Sequence, residues 1–383
     1  MLPYGRQTIS EDDIRAVCDA LRSDWLTTGP AVDRFEHGVC EFTGAKHAVA
    51  ASSGTAALHL VLAALGVGPG DEVIVPALTF VATANAALYC GATPVFADVD
   101  FGSLLLDPAA VEARITPRTK AVIAVDYAGQ PCDYDRLSAI ASRHGIALVA
   151  DACHSLGASY RGRKVGTLAA ATVLSFHPVK HITTGEGGMV LTGDAAVAER
   201  ARMLRNHGVT TDHRQRSRMG TWSYDMVELG QNYRLSDIAC ALGASQLGHL
   251  PGWLERRRAL AAAYDAAFVG CSSIEPLERC ADVEHAFHLY VVRLTPAGLR
   301  SGAFRTLREA GIGANVHYRP VYDHSYYRRR LGNLHGSCPR AEAAYEAILS
   351  LPMFPLMTAS DVDLVASRLK QFAEGASPSA SVA

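Results

Sequence analysis

Residues Lys120–Ser155 read "KAVIAVDYAGQPCDYDRLSAIASRHGIALVADACHS". An apolar, β-branched run, KAVIAV, passes through a polar turn into a helical segment, DYDRLSAIASRHG, and then into a second apolar run, IALVA. Short runs with no polar face, joined through a helix, are the mark of parallel strands buried on both sides. The alternation continues from Asp71 to about Leu191, with EVIVPA followed by VATANAALYCG and IALVA followed by a segment read as helical, DACHSLGA. It predicts an α/β domain with a mainly parallel sheet between helices, and it places chemistry at the carboxyl ends of the strands. Those ends carry LTF (Leu78–Phe80), DYAGQP (Asp126–Pro131), DACHS (Asp151–Ser155) and SFHPVK (Ser175–Lys180).

Past Gly208 an irregular, arginine-rich stretch runs to about Tyr233, followed by two predicted helices, LSDIACALGASQLGHL and LERRRALAAAYDAAFVG. A smaller α/β unit then reads as strand HLYVVRL, helix SGAFRTLREAG, strand GANVHY, helix CPRAEAAYEAILSL and helix ASDVDLVASRLKQFAEG. The expected division is a large domain over 1–250, a small domain over 251–375 and a frayed tail over 376–383.

The chain has 383 residues, 49% of them hydrophobic, enough to bury a sizeable core and a cleft. A net charge of −2 without a basic stripe argues against a nucleic-acid surface. The longest apolar stretches are interrupted before they could span a bilayer, and the opening MLPYGRQTIS has no signal-peptide pattern, so a soluble, cytoplasmic protein is expected. Nine scattered cysteines form no C-x-x-C pair, and the histidines form no HExxH motif, so neither a disulfide framework nor a catalytic metal is expected.

Only five lysines occur in the chain, which sets Lys180 apart at a strand end. An amine there can attack a carbonyl cofactor, as a guanidinium cannot; by itself it also fits a solvated side chain. Asp151, at the mouth of a buried strand, could hold a pyridine nitrogen protonated, or simply cap a following helix. Ser52–Gly54 with a helix opening near Thr55 offers free N–H groups and a positive dipole end to a phosphate, with Ser175 aimed at the same place. Phe80 could cover an aromatic ring or be core. Together these meet the requirements of pyridoxal 5′-phosphate (PLP).

At these residues the chain resembles the DegT/DnrJ/EryC1/StrS family, PLP-dependent sugar-nucleotide aminotransferases of fold type I. The likeness runs through SDWLTTGP (Ser23–Pro30), ASSGTAALHL, LTFVATANAALYCGATPVFADVD (Leu78–Asp100), DACHSLGA, SFHPVKHITTGEGG, GQNYRLSDIACALGASQL (Gly230–Leu247) and GIGANVHYRPVY (Gly311–Tyr322). The resemblance implies Lys180 as the Schiff-base lysine and proton shuttle, and Asp151 as partner of the pyridine nitrogen. It implies Gly54, Thr55 and Ser175 as the phosphate cradle, Phe80 as the stacking ring and His154 as the neighbour of the cofactor's O3′ side. Asn232 would reach the phosphate of a neighbouring subunit's cofactor, which implies a homodimer with shared active sites. L-glutamate is the implied amino donor and a nucleotide-linked keto sugar the acceptor.

Within the family, the segments PYGRQTIS, ALYCGA and HYRPVYDHSYYRR look similar to C4 aminotransferases of pseudaminic acid synthesis, which act on a UDP-linked 4-keto-6-deoxy-N-acetyl sugar of L configuration. That likeness would set Tyr4, Thr28, His317 and Tyr318 around the sugar, although His317 and Tyr318 could equally just end a strand. GDP- or dTDP-linked sugars and a C3 keto group are the alternatives within the family. Dehydration is another, but members that dehydrate carry histidine where Lys180 stands. A nicotinamide-dependent sugar oxidoreductase would need G-x-G-x-x-G after an early strand, and no segment supplies it.

Overall fold

The computed structural model describes residues 1–376, so the tail expected over 376–383 lies outside the described residues from 377 onward. Seven strands make the central sheet, in the order His47–Ala51, Gly188–Thr192, Ala171–Ser175, Ala147–Asp151, Thr119–Val125, Glu72–Pro76, Thr93–Ala97. The last five of these are mutually parallel, while Gly188–Thr192 runs antiparallel to both its neighbours. Nearly every residue of these strands is buried, because helices cover both faces. Register then sets the site: Val125 pairs with Asp151, Asp151 with Val173, and Ser175 with Gly188, so the polar strand ends finish at one edge.

Several expected elements come out differently. The two helices predicted after Tyr233 are one, Asp237–Phe268, with Pro251 inside it. Proline removes one helical hydrogen bond, yet the apolar contacts of Leu250 and Leu254 hold the helix through. DACHSLGA is a succession of turns rather than a helix. It is too short to propagate a helix unaided, and its first and last groups are engaged elsewhere in the fold. Asp151 therefore caps nothing.

The long helix leads into a three-stranded sheet, ordered Ile274–Pro276, Tyr290–Leu294, Ile348–Leu351, against which helices Leu299–Glu309 and Ala359–Ala376 pack. Here too the reading shifts: CPRAEAAYEAILSL is helix only over Pro339–Ala347, and its apolar end becomes the strand that pairs with Tyr290–Arg293. GANVHY is no strand; it touches the sheet at one bridge, Asn315 to Ser350, and then turns into the cleft. A second apolar core gathers here around Tyr264, Tyr290, Leu307 and Leu369. The larger core extends across the junction to take in Ala286, Leu289 and Val321, so the two units share a continuous seam. Among the described residues, no helix is long and apolar enough to cross a membrane.

Candidate active site

At the edge where the parallel strands end lies a cleft of about 580 Å³. It is lined by Tyr4, Gly54, Thr55, Phe80, Asp151, His154, Ser175, Lys180, His317 and Tyr318, together with Cys153, His288 and Asn315. Distant parts of the chain thus converge as expected, with one exception. Thr28 lies in a separate groove beside Arg205, Arg214 and Arg234; exposed Asn232, expected at a neighbouring subunit's cofactor, makes a main-chain bridge to Asn206 and does not line this cleft.

One end of the cleft is an anion cradle. Ser53 caps helix Gly54–Ala64 by accepting from the Ala56 amide at 3.0 Å. Among the described residues the amides of Gly54 and Thr55 have no acceptor, as the first turn of a helix leaves them. A Cβ on Gly54 would sit 3.0 Å from Ser175 Cβ and 3.3 Å from Cys153 Sγ. A Cβ on Gly188 would lie 2.3 Å from the Ser53 carbonyl, so glycine is what lets that strand approach the helix start.

Asp151 is buried, with Oδ2 accepting from Thr83 Oγ1 at 2.8 Å and Oδ1 from the Cys153 amide at 3.3 Å. Thr83 is steadied by Thr79, 2.9 Å away. No arginine or lysine of the described residues pairs with this carboxylate, so its charge is open toward the cleft. Sequence reasoning missed Thr79 and Thr83, although LTFVAT places both within a turn of Phe80.

Lys180 is half-buried and its amine has no hydrogen-bond partner within the described chain. Burial pushes its pKa down, with Cys153 and Asp151 pulling the other way. A lysine so placed gives up its proton more readily than a surface lysine, as a nucleophile must. Phe80 is 56% exposed, which excludes a core role; its ring forms a wall of the cleft 5.9 Å from that of Tyr318.

His154 is buried, with Nε2 3.3 Å from the Tyr318 hydroxyl and its Nδ1 unpartnered. Its ring lies 4.3 Å from that of His288, which also has a buried, unpartnered Nδ1. Burial pushes both imidazoles well below their ordinary pKa, so both are neutral near pH 7. His317 is likewise pushed down to about 3 by burial, aided by the positive charge of Lys180. Its ring is held by Ser350 Oγ at 2.8 Å and lies 5.6 Å from that of Tyr4, so it is more than the end of a strand.

The DegT/DnrJ/EryC1/StrS aminotransferase family model matches residues 7–370. The chain belongs to that family. A Bacillus subtilis (strain 168) protein described as spore coat polysaccharide biosynthesis protein SpsC is 41% identical over 380 residues, 98% of each chain. A Streptococcus pneumoniae protein described as a sugar aminotransferase, solved in its PMP form, aligns with TM-score 0.93 at 34% identity over 98% of this chain and 100% of that one. Helicobacter pylori PseC, described as an aminotransferase involved in the biosynthesis of pseudoaminic acid, aligns with TM-score 0.91 at 32% identity over 98% and 99% of the two chains.

The protein is a PLP-dependent aminotransferase of fold type I. Its own residues fit that cofactor: a glycine-walled helix start with two free amides suits the phosphate, a buried carboxylate with no cationic partner among the described residues suits a ring nitrogen, and an amine with no hydrogen-bond partner lines the same cleft. The unpartnered Nδ1 of His154 is a further polar group facing no protein acceptor, which suits a site that a polar ligand completes. When bound, PLP supplies an electron sink for the carbon from which a proton is removed.

Proposed function

We propose that this aminotransferase moves an amino group from L-glutamate to the keto carbon of a nucleotide-linked sugar. The preferred acceptor is a UDP-linked 4-keto-6-deoxy-N-acetyl sugar of L configuration, aminated at C4 as in pseudaminic acid synthesis. One observation carries the proposal: Lys180, half-buried and unpaired, opens into a cleft with an anion cradle at one end and neutral polar rings at the other. The cofactor side is then held by Gly54, Thr55 and Ser175 at the phosphate, by Asp151 at the ring nitrogen, by Phe80 against the ring and by His154 along its edge. Lys180 Nζ takes the proton from the donor's α-carbon and, in the reverse half-reaction, returns one to the sugar.

Tyr4 and Tyr318 suit a sugar, since hydroxyl groups can donate or accept toward hydroxyls and a carbonyl without fixing a charge. His317, held at both ring nitrogens by Ser350 and Asn315, adds a neutral polar face beside Tyr4. Thr28 lies beside three arginines in a separate groove, a setting that suits the substrate's diphosphate. Asn232, exposed and outside the lining of its own cleft, fits a homodimer in which it reaches the partner's phosphate cradle. SpsC, named for polysaccharide biosynthesis, and PseC support a sugar acceptor. The work of such an enzyme belongs in the cytoplasm, where nucleotide sugars are made.

The test is a two-stage spectrum. Protein loaded with PLP should show a visible band near roughly 420 nm that bleaches with L-glutamate and returns with a single member of a panel of 4-keto and 3-keto sugar nucleotides. Product NMR then assigns the aminated carbon. Return with a 3-keto member alone would overturn the C4 assignment, and no bleaching would overturn glutamate as donor.

A further inference from the structure

The strand-end motif DYAGQP holds none of the groups assigned above, yet Asp126 and Tyr127 are 0% and 1% exposed, directly after Val125, which lines the cleft. Asp126 stands one residue beyond Val125, the register partner of Asp151. Its main-chain N–H donates to the Asp151 carbonyl at 3.1 Å. Its side chain accepts from Ser155 Oγ at 2.6 Å on Oδ2, and from the Tyr134 hydroxyl at 2.8 Å and the Cys132 amide at 3.0 Å on Oδ1. One residue therefore grips both ends of the turn Asp151–Ser155, which carries Asp151 and His154.

The rest of the motif braces the same structure. Gly129, at φ +109, lets the chain pass so close that a Cβ would lie 2.8 Å from the His154 carbonyl and 3.0 Å from the His288 amide. The Tyr127 hydroxyl donates to the His317 carbonyl on the opposite wall.

Holding the turn does not by itself require a charge, since an amide oxygen could accept from Ser155 or Tyr134. A fully buried carboxylate with no cationic partner is costly, and here it sits behind a second carboxylate. We infer that Asp126 is a positioning residue: it fixes the direction in which Asp151 faces the cleft and adds its own negative charge behind it, strengthening Asp151's hold on a protonated ring nitrogen. This rests on Asp151 being the ring-nitrogen partner.

The groups facing Asp126 are Ser155, Tyr134, the amide and thiol of Cys132, the Asp151 carboxylate and the neutral thiol of Cys153; no cation is among them. Burial pushes its carboxyl up to about 7 against the three donors, so the added charge is present above that pH and is lost as pH falls through it. Protonation would cancel the charge while leaving a carboxyl oxygen to accept from Ser155. Asp126→Asn imitates that state.

The experiment compares wild type, Asp126→Asn, Ser155→Ala and Asp151→Asn loaded with PLP. It reads cofactor dissociation, thermal midpoint and the pH at which the visible band gives way to its shorter-wavelength form. Asp126→Asn should lower that pH midpoint by about half a unit or more and loosen the cofactor roughly three- to tenfold. Ser155→Ala keeps the charge and frees the turn, so it should loosen the cofactor several-fold, by about as much as a lost charge-assisted hydrogen bond allows, with a smaller midpoint shift. A purely structural role would lower the thermal midpoint of both and leave the band's pH midpoint in place, which overturns the inference. If Asp126→Asn fails to fold, unchanged cofactor binding in Ser155→Ala overturns it. If Asp151→Asn also leaves band and affinity unchanged, the ring-nitrogen assignment itself has failed; if Asp151→Asn is impaired alone, only the role of Asp126 has.

Discussion

The two ends of the cleft are built by different means. The cofactor end rests on strand termini whose register is set by main-chain hydrogen bonds, with Asp151 and Ser175 carried by buried strands and Lys180 five residues beyond the latter. The other end, proposed above for the sugar, is assembled from Tyr4 and from the stretch Asn315–Tyr318, held by a few contacts such as Gly313 to Leu2 and His317 to Ser350. A sheet edge is rigid because every neighbour shares the constraint, whereas a loop held by a few bonds can be retuned without disturbing the fold. The proposed reading thus sets the shared chemistry at the first end and substrate choice at the second.

The largest effect should come from the rigid end. Lys180→Ala should lower the rate of the glutamate half-reaction by on the order of 10³ or more, measured as bleaching of the visible band, because the proton-transfer group is lost. Survival of the wild-type rate would take Lys180 out of the site. A next, smaller loss is expected for His317→Asn or Tyr4→Phe. Each should raise KM for the sugar roughly tenfold while leaving the glutamate half-reaction within about twofold. If both half-reactions fall together, the division between the two ends is wrong.

Gly54→Ala sharpens the comparison further. The added methyl would stand 3.0 Å from Ser175 Cβ, close enough to force that side chain aside. Cofactor dissociation should weaken several-fold, and KM for the sugar should stay near its original value.

The smallest effect concerns stability and pH. His285 lies outside the cleft, its Nδ1 accepting from the Phe287 amide at 2.8 Å and its ring 4.0 Å from that of Phe287. Burial, then the charges of Arg279 and Arg258, push its pKa down to about 3. The unfolded chain takes up this proton below about pH 6.5 and the folded chain does not, so stability falls as pH drops from about 6.5 toward 3. The other buried histidines, His154, His181, His288 and His317, add to the same slope. His285→Gln should make the thermal midpoint less dependent on pH between about 5 and 6.5. An unchanged slope would mean that this imidazole is already charged in the folded protein.

The parallel sheet and its strand-end chemistry were legible in the sequence because both are local: a buried strand is a short apolar run, and the polar residue that follows it lies at the sheet edge. Lys180, Asp151 and Gly54 could be named that way. The supports of Asp151 could not, since Thr83 lies 68 residues away and reaches it only through the sheet. DACHSLGA and GANVHY were misread for a related reason: their main-chain groups bond to distant partners, and tertiary contacts outweigh local propensity. Thr28 marks the same boundary, because motif order carries no information about which groove a loop faces. Sequence alone thus determined the buried strands of the parallel sheet and which polar residues stand at their ends. Tertiary structure decided how those ends meet, because the hydrogen bonds and burial that orient Asp151, His154 and His317 come from residues far along the chain.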